Sequence, residues 1–534
     1  MTIPTGGLSI NSLSLSGLLQ GSATTAAPGD VLTITSGGVV GSLSIKDATV
    51  NFPNGAYIHT ASSNTVAGAS RVRGSGGLAI SSKGNLQFTN TPAGGNTFTG
   101  GLYINDNASV YFTANNQLGN DDSGHASGSI VLGGGSLFYA PNLATDTASL
   151  SDGGINRSIF VNESGGFIAG SQGILRIPGA ISGPGQLQIG TDDGHGTVID
   201  LTQSAGNTYT GGTVVRAGTL RISNPNQLGT GSLALNGGTL QPVGDVALSS
   251  TFQIGRSSAI DLQLGNLTLN GGANGSSNVA VSGGTPASVT LITTAGTGTL
   301  TIDGNSNFGG RLYDFAGHML IKGLMSGTAS VTIWSAGTFE LGASYRLSSS
   351  TTLTLYSGTF VTGGFSEDLG ALDMLSDGTP ASIDLGDGSS RLTLADSHLS
   401  GWSGTLDIEN WSGSPTGGGT DQIFFGASAS GLTASQLAEI TFVDPDGYAP
   451  GNYAAQLLPT GELVAVVPEP GCCVLVLCGG IALASRRRRE RRYGLQRIRR
   501  LQGHLADARS TAIVEGNDPV RARRRPPVER FPRG

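Results

Sequence analysis

The sequence predicts an all-β protein built as a parallel β-helix, in which short strands stack coil upon coil around an apolar interior. Three observations support this prediction: strands of alternating polarity, a high glycine content and internal repeats. Glycine supplies 87 of the 534 residues, about 16% against roughly 7% in average proteins. Charged residues make up 12% of the chain, about half of the usual share, which excludes a charge-rich disordered chain.

Residues 31–364 consist almost entirely of short segments in which apolar and polar residues alternate. Examples are VLTIT (31–35), SVYFTA (109–114) and TVVRAGTLRIS (213–223), which are separated by Gly, Asn or Ser. Alternation with period 2 and an enrichment in β-branched and aromatic residues is typical of strands. One face of each strand would fill the interior, and glycine would allow the turns between strands.

Internal repeats favour a solenoid among the all-β architectures. GNTFTGG (95–101) recurs as GNTYTGG (206–212), and NQLG (116–119) recurs as NQLG (226–229). Repeated units that stack only on their neighbours are typical of solenoids. We therefore assign residues 31–365 to the β-helix and interpret residues 1–30 as an N-terminal segment or cap. A β-sandwich array remains the alternative, because periodicity alone does not separate the two architectures.

The repeats also support a resemblance to a known family. Residues 206–240 resemble the autotransporter-associated beta-strand repeat of large bacterial surface proteins, and residues 95–138 resemble it to a lesser degree. The resemblance implies a right-handed parallel β-helix located at the cell surface or outside the cell.

Residues 366–466 differ in composition and are predicted to form a small β-rich C-terminal domain. Thr433 and Gln436 fit a capping box, which predicts a short helix before the strand ITFV (440–443). YAAQLL (453–458) and LVAVV (463–467) are predicted to form a closing hairpin. Trp402 and Trp411 are interpreted as packing residues of this domain.

Residues 467–492 combine a Pro-Glu-Pro motif, an apolar segment and an arginine cluster. A helix over the 14 apolar residues 471–484 would be roughly 21 Å long, shorter than the ~30 Å hydrocarbon core of a membrane. The basic residues that follow would stay on the cytoplasmic side. The segment comprises Gly471, Cys472, Cys473, Val474, Leu475, Val476, Leu477, Cys478, Gly479, Gly480, Ile481, Ala482, Leu483 and Ala484.

This tail resembles the PEP-CTERM protein-sorting signal. The resemblance implies that Pro468, Glu469 and Pro470 are the sorting motif, that 471–484 is a transient membrane segment, and that an exosortase processes the tail. It also implies a stop-transfer cluster formed by Arg486, Arg487, Arg488 and Arg489. Residues 493–534 extend past the usual end of such tails and are expected to be basic and largely disordered. Residues 1–20 carry no recognisable export signal, so an exported protein would be expected to begin upstream.

The distribution of charge argues against nucleic acid as a partner. Residues 1–485 contain 13 basic and 31 acidic residues, whereas residues 486–534 contain 16 basic and 5 acidic residues. A body with so few cations binds phosphate poorly.

The sequence shows no convincing catalytic, metal or cofactor site. Asp192, Asp193 and His195 are reminiscent of polygalacturonase motifs, but adjacent strand residues point to opposite faces, so the two aspartates could not act together on one glycosidic bond. Asp121, Asp122 and His125 lie in an insertion that is interpreted as a solvated loop, with a weak cation site as the alternative.

These observations predict an exported, non-enzymatic β-solenoid with a structural or adhesin-like role. Extracellular polysaccharide is a candidate partner, because the surface is rich in Ser, Thr and Asn. Two alternatives remain: a polysaccharide-cleaving β-helix, either a lyase or a glycosidase, and a membrane protein with a permanent C-terminal anchor.

Overall fold

The computed structural model describes residues 2–467, with gaps at 4–6, 15–16, 21–30, 42, 60–62, 91–94, 120–129, 143–145, 153–154, 193–195, 251, 272, 276–289 and 295. Residues 1–466 form one compact unit and residues 467–534 a second. The first unit is a parallel β-solenoid of about 15 turns. This confirms the predicted β-helix and excludes the sandwich array. The predicted hydrophobic helix at 471–484 lies outside the described residues.

The first five coils each contribute three short strands. Their bounds are β1 (Leu8–Ile10), β2 (Leu13–Ser14), β3 (Gly17–Gln20), β4 (Val31–Ile34), β5 (Gly38–Val40), β6 (Leu43–Lys46), β7 (Thr49–Asn51), β8 (Ala56–His59), β9 (Ser63–Gly68), β10 (Arg71–Gly74), β11 (Leu78–Ser81), β12 (Asn85–Asn90), β13 (Thr97–Phe98), β14 (Leu102–Asn105) and β15 (Ser109–Phe112).

The middle coils contain further short strands and two 3₁₀ helices, at Asn115–Leu118 and Pro225–Leu228. The strands are β16 (Ile130–Gly133), β17 (Ser136–Tyr139), β18 (Thr147–Ser149), β19 (Ser151–Asp152), β20 (Ile155–Asn156), β21 (Ile159–Val161), β22 (Gly166–Gly170), β23 (Ile174–Ile177), β24 (Ile181–Ser182), β25 (Leu187–Ile189), β26 (Val198–Leu201), β27 (Thr213–Val215), β28 (Thr219–Ile222), β29 (Leu233–Asn236), β30 (Thr239–Pro242), β31 (Gly244–Leu248), β32 (Phe252–Arg256), β33 (Ser258–Asp261), β34 (Gly265–Leu269), β35 (Ala273–Gly275), β36 (Thr290–Thr294) and β37 (Thr299–Ile302).

The last coils include two long strands that turn a corner and one short helix, α1 (Ala434–Ala438). The strands are β38 (Arg311–Ile321), β39 (Ser330–Leu341), β40 (Thr352–Tyr356), β41 (Thr359–Val361), β42 (Glu367–Leu369), β43 (Leu372–Leu375), β44 (Ala381–Asp384), β45 (Arg391–Leu394), β46 (Leu406–Glu409), β47 (Gln422–Phe425), β48 (Ile440–Val443), β49 (Asn452–Leu457) and β50 (Glu462–Ala465).

The strands assemble into four long sheets, which we call A to D. Sheet A has five strands in the order β1-β4-β7-β10-β13. Sheet B has eight strands and begins with β2, and sheet C has twelve strands and begins with β3. Sheet D has 23 strands and extends from β18 to β50. Each strand therefore pairs with its counterpart in the next coil. Among the described strands the pairing is parallel, apart from β19–β20 and the contacts of the final hairpin β49–β50.

The interior consists of apolar columns that run along the coils. In sheet B, for example, successive strands place aliphatic residues in register, and all of them are buried. A buried aliphatic side chain contributes roughly 1.5–3 kcal/mol relative to an exposed one, so continuous columns supply most of the driving force for stacking. The members of this column are Ile58, Ile80, Ile104, Leu132 and Val161.

Strand pairing continues without a break across residue 365. β41 pairs in parallel with β44, β44 with β46 and β46 with β48. The hairpin β49–β50 then adds antiparallel strands to β47 and β48 and caps the coils. The predicted capping box is confirmed, because the Thr433 hydroxyl accepts a hydrogen bond from the Gln436 N–H and the Gln436 side chain accepts one from the Thr433 N–H. The predicted strand 440–443 and hairpin are confirmed as well.

Both tryptophans of this region pack, as predicted. Trp411 is buried and its ring lies 4.9 Å from that of Phe442. Trp402 is half-buried, packs edge-on against Phe425, and its indole N–H donates to the carbonyl of Leu372 at 3.2 Å.

Some corners of the coils can be formed only by glycine. Gly190 has φ = +76°, and a Cβ atom there would lie 2.3 Å from the carbonyl oxygen of Ala217 in the next coil. We expect Gly190→Ala to lower the free energy of unfolding by roughly 2 kcal/mol, because the left-handed conformation and the close approach of the backbone both disfavour a side chain. Gly401→Ala is the control in a thermal-unfolding measurement, since its Cβ would meet nothing within 4 Å. Equal melting temperatures for the two variants would contradict the prediction.

Candidate binding surfaces

The repeated GNT(F/Y)TGG motif has the same geometry in both copies and serves the stacking of coils. The side-chain oxygen of Asn207 accepts from the Ile181 N–H at 2.8 Å, and its amide nitrogen donates to the Gln227 carbonyl at 2.6 Å. Asn96 makes the equivalent bonds to Val72 at 2.9 Å and to Gln117 at 2.7 Å. Each asparagine is buried and joins the preceding coil to the 3₁₀ helix of its own repeat.

A groove with two arginines opens on the outer face of sheet A. In β10, Val72 points into the core, so Arg71 and Arg73 lie on the opposite face. Asn51 and Thr97 are the register partners of Arg73 on the two neighbouring strands. The groove has a volume of about 320 Å³, within the range of small-ligand sites. We call it the arginine groove; its lining residues are Asn51, Arg71, Arg73, Gly74, Ser75, Thr97 and Thr99.

A second groove, of about 260 Å³, lies on the outer face of sheet C. Val214 and Ala234 are register partners in its floor. The arginine at its wall, Arg216, donates to the Gln188 side chain at 2.6 Å and lies 3.5 Å from the Asp192 carboxylate. The cation of this groove therefore already has an anionic neighbour.

Residues of alternating charge line the outer face of sheet D. The nearest nitrogens of Arg176 and Arg221 lie 3.5 Å and 3.8 Å from Asp200 Oδ2, on the strand between them. Gln241 then bridges Arg221 and Asp261 with two bonds of 2.7 Å. Like charges directly opposite one another on neighbouring strands are destabilising. Because basic and acidic residues alternate from strand to strand here, each arginine faces a carboxylate or an amide and not another arginine.

An aromatic stack lies at a corner of sheet D. The ring of Trp334 lies 4.4 Å from that of Phe315 and 4.2 Å from that of Tyr356. Both faces of the indole are covered by neighbouring rings, so this stack stabilises the coils and does not present a free indole face to a sugar ring.

Two of the buried carboxyl groups on coils of sheet D have a raised pKa. Burial raises the pKa of Asp314 to about 7, although the Thr293 hydroxyl donates to its Oδ1 at 2.7 Å. The Thr338 backbone N–H also opposes the rise of this pKa, and among the described residues no group hydrogen-bonds to the other oxygen, Oδ2. Burial likewise raises the pKa of Glu367 to about 7, against the opposing effect of backbone N–H groups such as that of Arg346. The two groups lie on different coils, Asp314 in β38 and Glu367 in β42.

The residues predicted from sequence as candidate sites are only partly described. The sorting motif (468–470), the apolar segment (471–484) and the arginine cluster (486–489) lie outside the described residues, as do Asp121, Asp122, His125, Asp193 and His195. Asp192 forms ion pairs with Arg216 and with Arg256, each at 3.5 Å. The described part of the chain contains no group of three His, Cys, Asp or Glu side chains placed to hold a metal ion. It also contains no helix whose length and hydropathy would allow it to span a membrane.

Comparison with known proteins identifies one informative relative. The chain is 27% identical over 172 residues to the adhesin BmaC autotransporter of Brucella suis biovar 1 (strain 1330). The match covers 32% of this chain and 4% of that adhesin. No family model matches the chain, and no solved structure matches it. The distant similarity and the solenoid agree with the resemblance of the repeats to those of autotransporters.

Proposed function

We propose that this protein is a surface-exposed, adhesin-like β-solenoid with a structural or adhesive role and no enzymatic activity. The observation that carries the proposal is the parallel solenoid itself, whose stacked coils present long polar faces. The similarity to an autotransporter adhesin supports the same role.

The outer faces suit weak, repeated contacts with extracellular polysaccharide. The strand Thr352–Tyr356, for example, alternates buried leucines with half-buried Thr and Tyr residues. Hydroxyl and amide groups that repeat from coil to coil can bond the hydroxyls of a glycan strand, and many weak contacts along one chain increase the total affinity.

We further propose that the C-terminal tail delivers the protein through PEP-CTERM processing. The support comes from the order of the sorting motif Pro468-Glu469-Pro470, the apolar segment 471–484 and the arginine cluster that begins at Arg486. An exosortase would recognise the motif while the apolar segment holds the chain transiently in the membrane and the arginines stay on the cytoplasmic side.

Mass spectrometry of the mature C-terminus tests this processing. In a host with an exosortase, we expect mature protein that lacks the arginine cluster; in a host without one, we expect the intact tail. Glu469→Ala should preserve the cluster in both hosts because it removes the central residue of the motif. Glu490→Gln, outside the motif, serves as the control and should be processed normally. Intact protein in the membrane fraction of both hosts would instead indicate a permanent anchor.

A further inference from the structure

The arginine groove places two cations on a body that is otherwise strongly acidic. Residues 1–119 contain four basic and three acidic residues, whereas residues 120–485 contain nine basic and 28 acidic residues. Two of the four basic residues, Arg71 and Arg73, lie two positions apart on one strand and line the same groove. Residues i and i+2 of a strand are roughly 7 Å apart and point to the same side.

The neighbours of Arg73 leave its guanidinium available. Arg73 is exposed, and no carboxylate among the described residues pairs with it. Asp47, an acidic residue of the same region, is buried, and its Oδ1 accepts from the Ala69 N–H at 3.0 Å. Its carboxylate therefore stabilises a turn of the backbone.

The groove also contains the hydrogen-bonding groups that a sugar requires. Asn51 and Thr97 flank Arg73 on either side, and Thr99 and Ser75 lie at the far end.

We infer that the arginine groove binds carboxylate-bearing polysaccharide, with Arg73 holding a uronate carboxylate through two of its guanidinium N–H groups. Arg–carboxylate pairs of this kind are bidentate and among the strongest charge-assisted hydrogen bonds. Asn51 and Thr97 would bind the ring hydroxyls next to the carboxylate, and Arg71 would face the next sugar. This inference deepens the proposed surface role and rests on it for its biological setting. A nucleic acid is disfavoured because the coils beyond residue 119 are strongly acidic and would repel a long phosphate chain.

Binding of hexagalacturonate to the full chain, measured by calorimetry, tests the inference. We expect Arg73→Gln to weaken binding on the order of tenfold or more, which is the loss of about one charge-assisted pair. Lys83→Gln is the matched control, because Lys83 is an exposed cation on the same coil outside the groove. It should change the affinity less than about twofold. Both substituted side chains are exposed, so unchanged melting temperatures would show that the fold is intact.

Three results would overturn the inference. The first is equal binding of the methyl-esterified hexamer, which has the same sugars without charge. The second is unchanged affinity in Arg73→Gln, and the third is equally tight binding of a single-stranded oligonucleotide, which would indicate a general polyanion surface. A separate assay of adhesion to neutral polysaccharide distinguishes the two proposals. Adhesion to neutral polysaccharide by a protein that does not bind hexagalacturonate would keep the surface role and exclude the groove. Uronate binding by a protein that is not delivered to the surface would keep the groove and exclude the surface role.

Discussion

Replacing Asn207 with alanine is expected to lower the free energy of unfolding by roughly 2–5 kcal/mol, the loss expected when two buried backbone groups lose their partners. The Ile181 N–H and the Gln227 carbonyl lie in different coils, and each is satisfied by one end of the same side chain. Alanine reaches neither group. Unfolding monitored by circular dichroism in increasing denaturant measures the loss.

The exposed Asn226, on the 3₁₀ helix of the same repeat, supplies the control. Asn226→Ala should change the free energy of unfolding by no more than about 0.5 kcal/mol, the usual range for surface substitutions. The same comparison applies to the first repeat, where Asn96→Ala removes the bonds to Val72 and Gln117. If Asn207→Ala were as stable as Asn226→Ala, the buried amide would not be what joins these coils.

The solenoid could be predicted because its determinants are local. Alternation over four or five residues decides which face of a strand is buried, and the burial of β28 follows the polarity of its residues Thr219–Ile222. Asn96 recurs as Asn207 because both asparagines make the same contact between coils, a hydrogen bond from the side-chain amide to a glutamine carbonyl. Such features are visible in the sequence without knowledge of the register between coils.

The change of composition after residue 365 concerns the outer face of the coils. Acidic strands there predict a separate small domain, while in β44 the apolar Ile383 points inward and Ser382 and Asp384 lie on the outer face. The carboxylates alter the surface of these coils, whereas the strands pair in parallel as before.

The arginine groove could not be predicted, because it depends on which residues meet across coils of unequal length. Asn51, Arg73 and Thr97 come together only once the register of β7, β10 and β13 is known. Nothing in the local sequence around Arg73 indicates those two neighbours. A signal that could have been noticed is the scarcity of acidic residues before residue 120.

The buried Asp314 is expected to make the stability of the protein depend on pH. Because burial raises its pKa in the folded state from 3.8 to about 7, the folded state binds this proton more tightly than the unfolded state. The stabilising effect is complete below about pH 4 and is lost as the pH rises through about 7. The total loss from this residue would be roughly 4 kcal/mol, since each pKa unit corresponds to about 1.4 kcal/mol.

Asp314→Asn isolates this contribution, because asparagine stays neutral and its side-chain oxygen can still accept from the Thr293 hydroxyl. In denaturant unfolding, the variant should be more stable than the wild type at about pH 8 and similar to it at about pH 4. Asp303→Asn removes a charge at an exposed position and should show no such divergence. Glu367→Gln provides an independent test, because burial raises the pKa of Glu367 to about 7 in the same way. A constant difference between Asp314→Asn and the wild type across this pH range would mean that the Asp314 carboxyl is ionised in the folded interior, and Oδ2 would then require a partner that stabilises its charge.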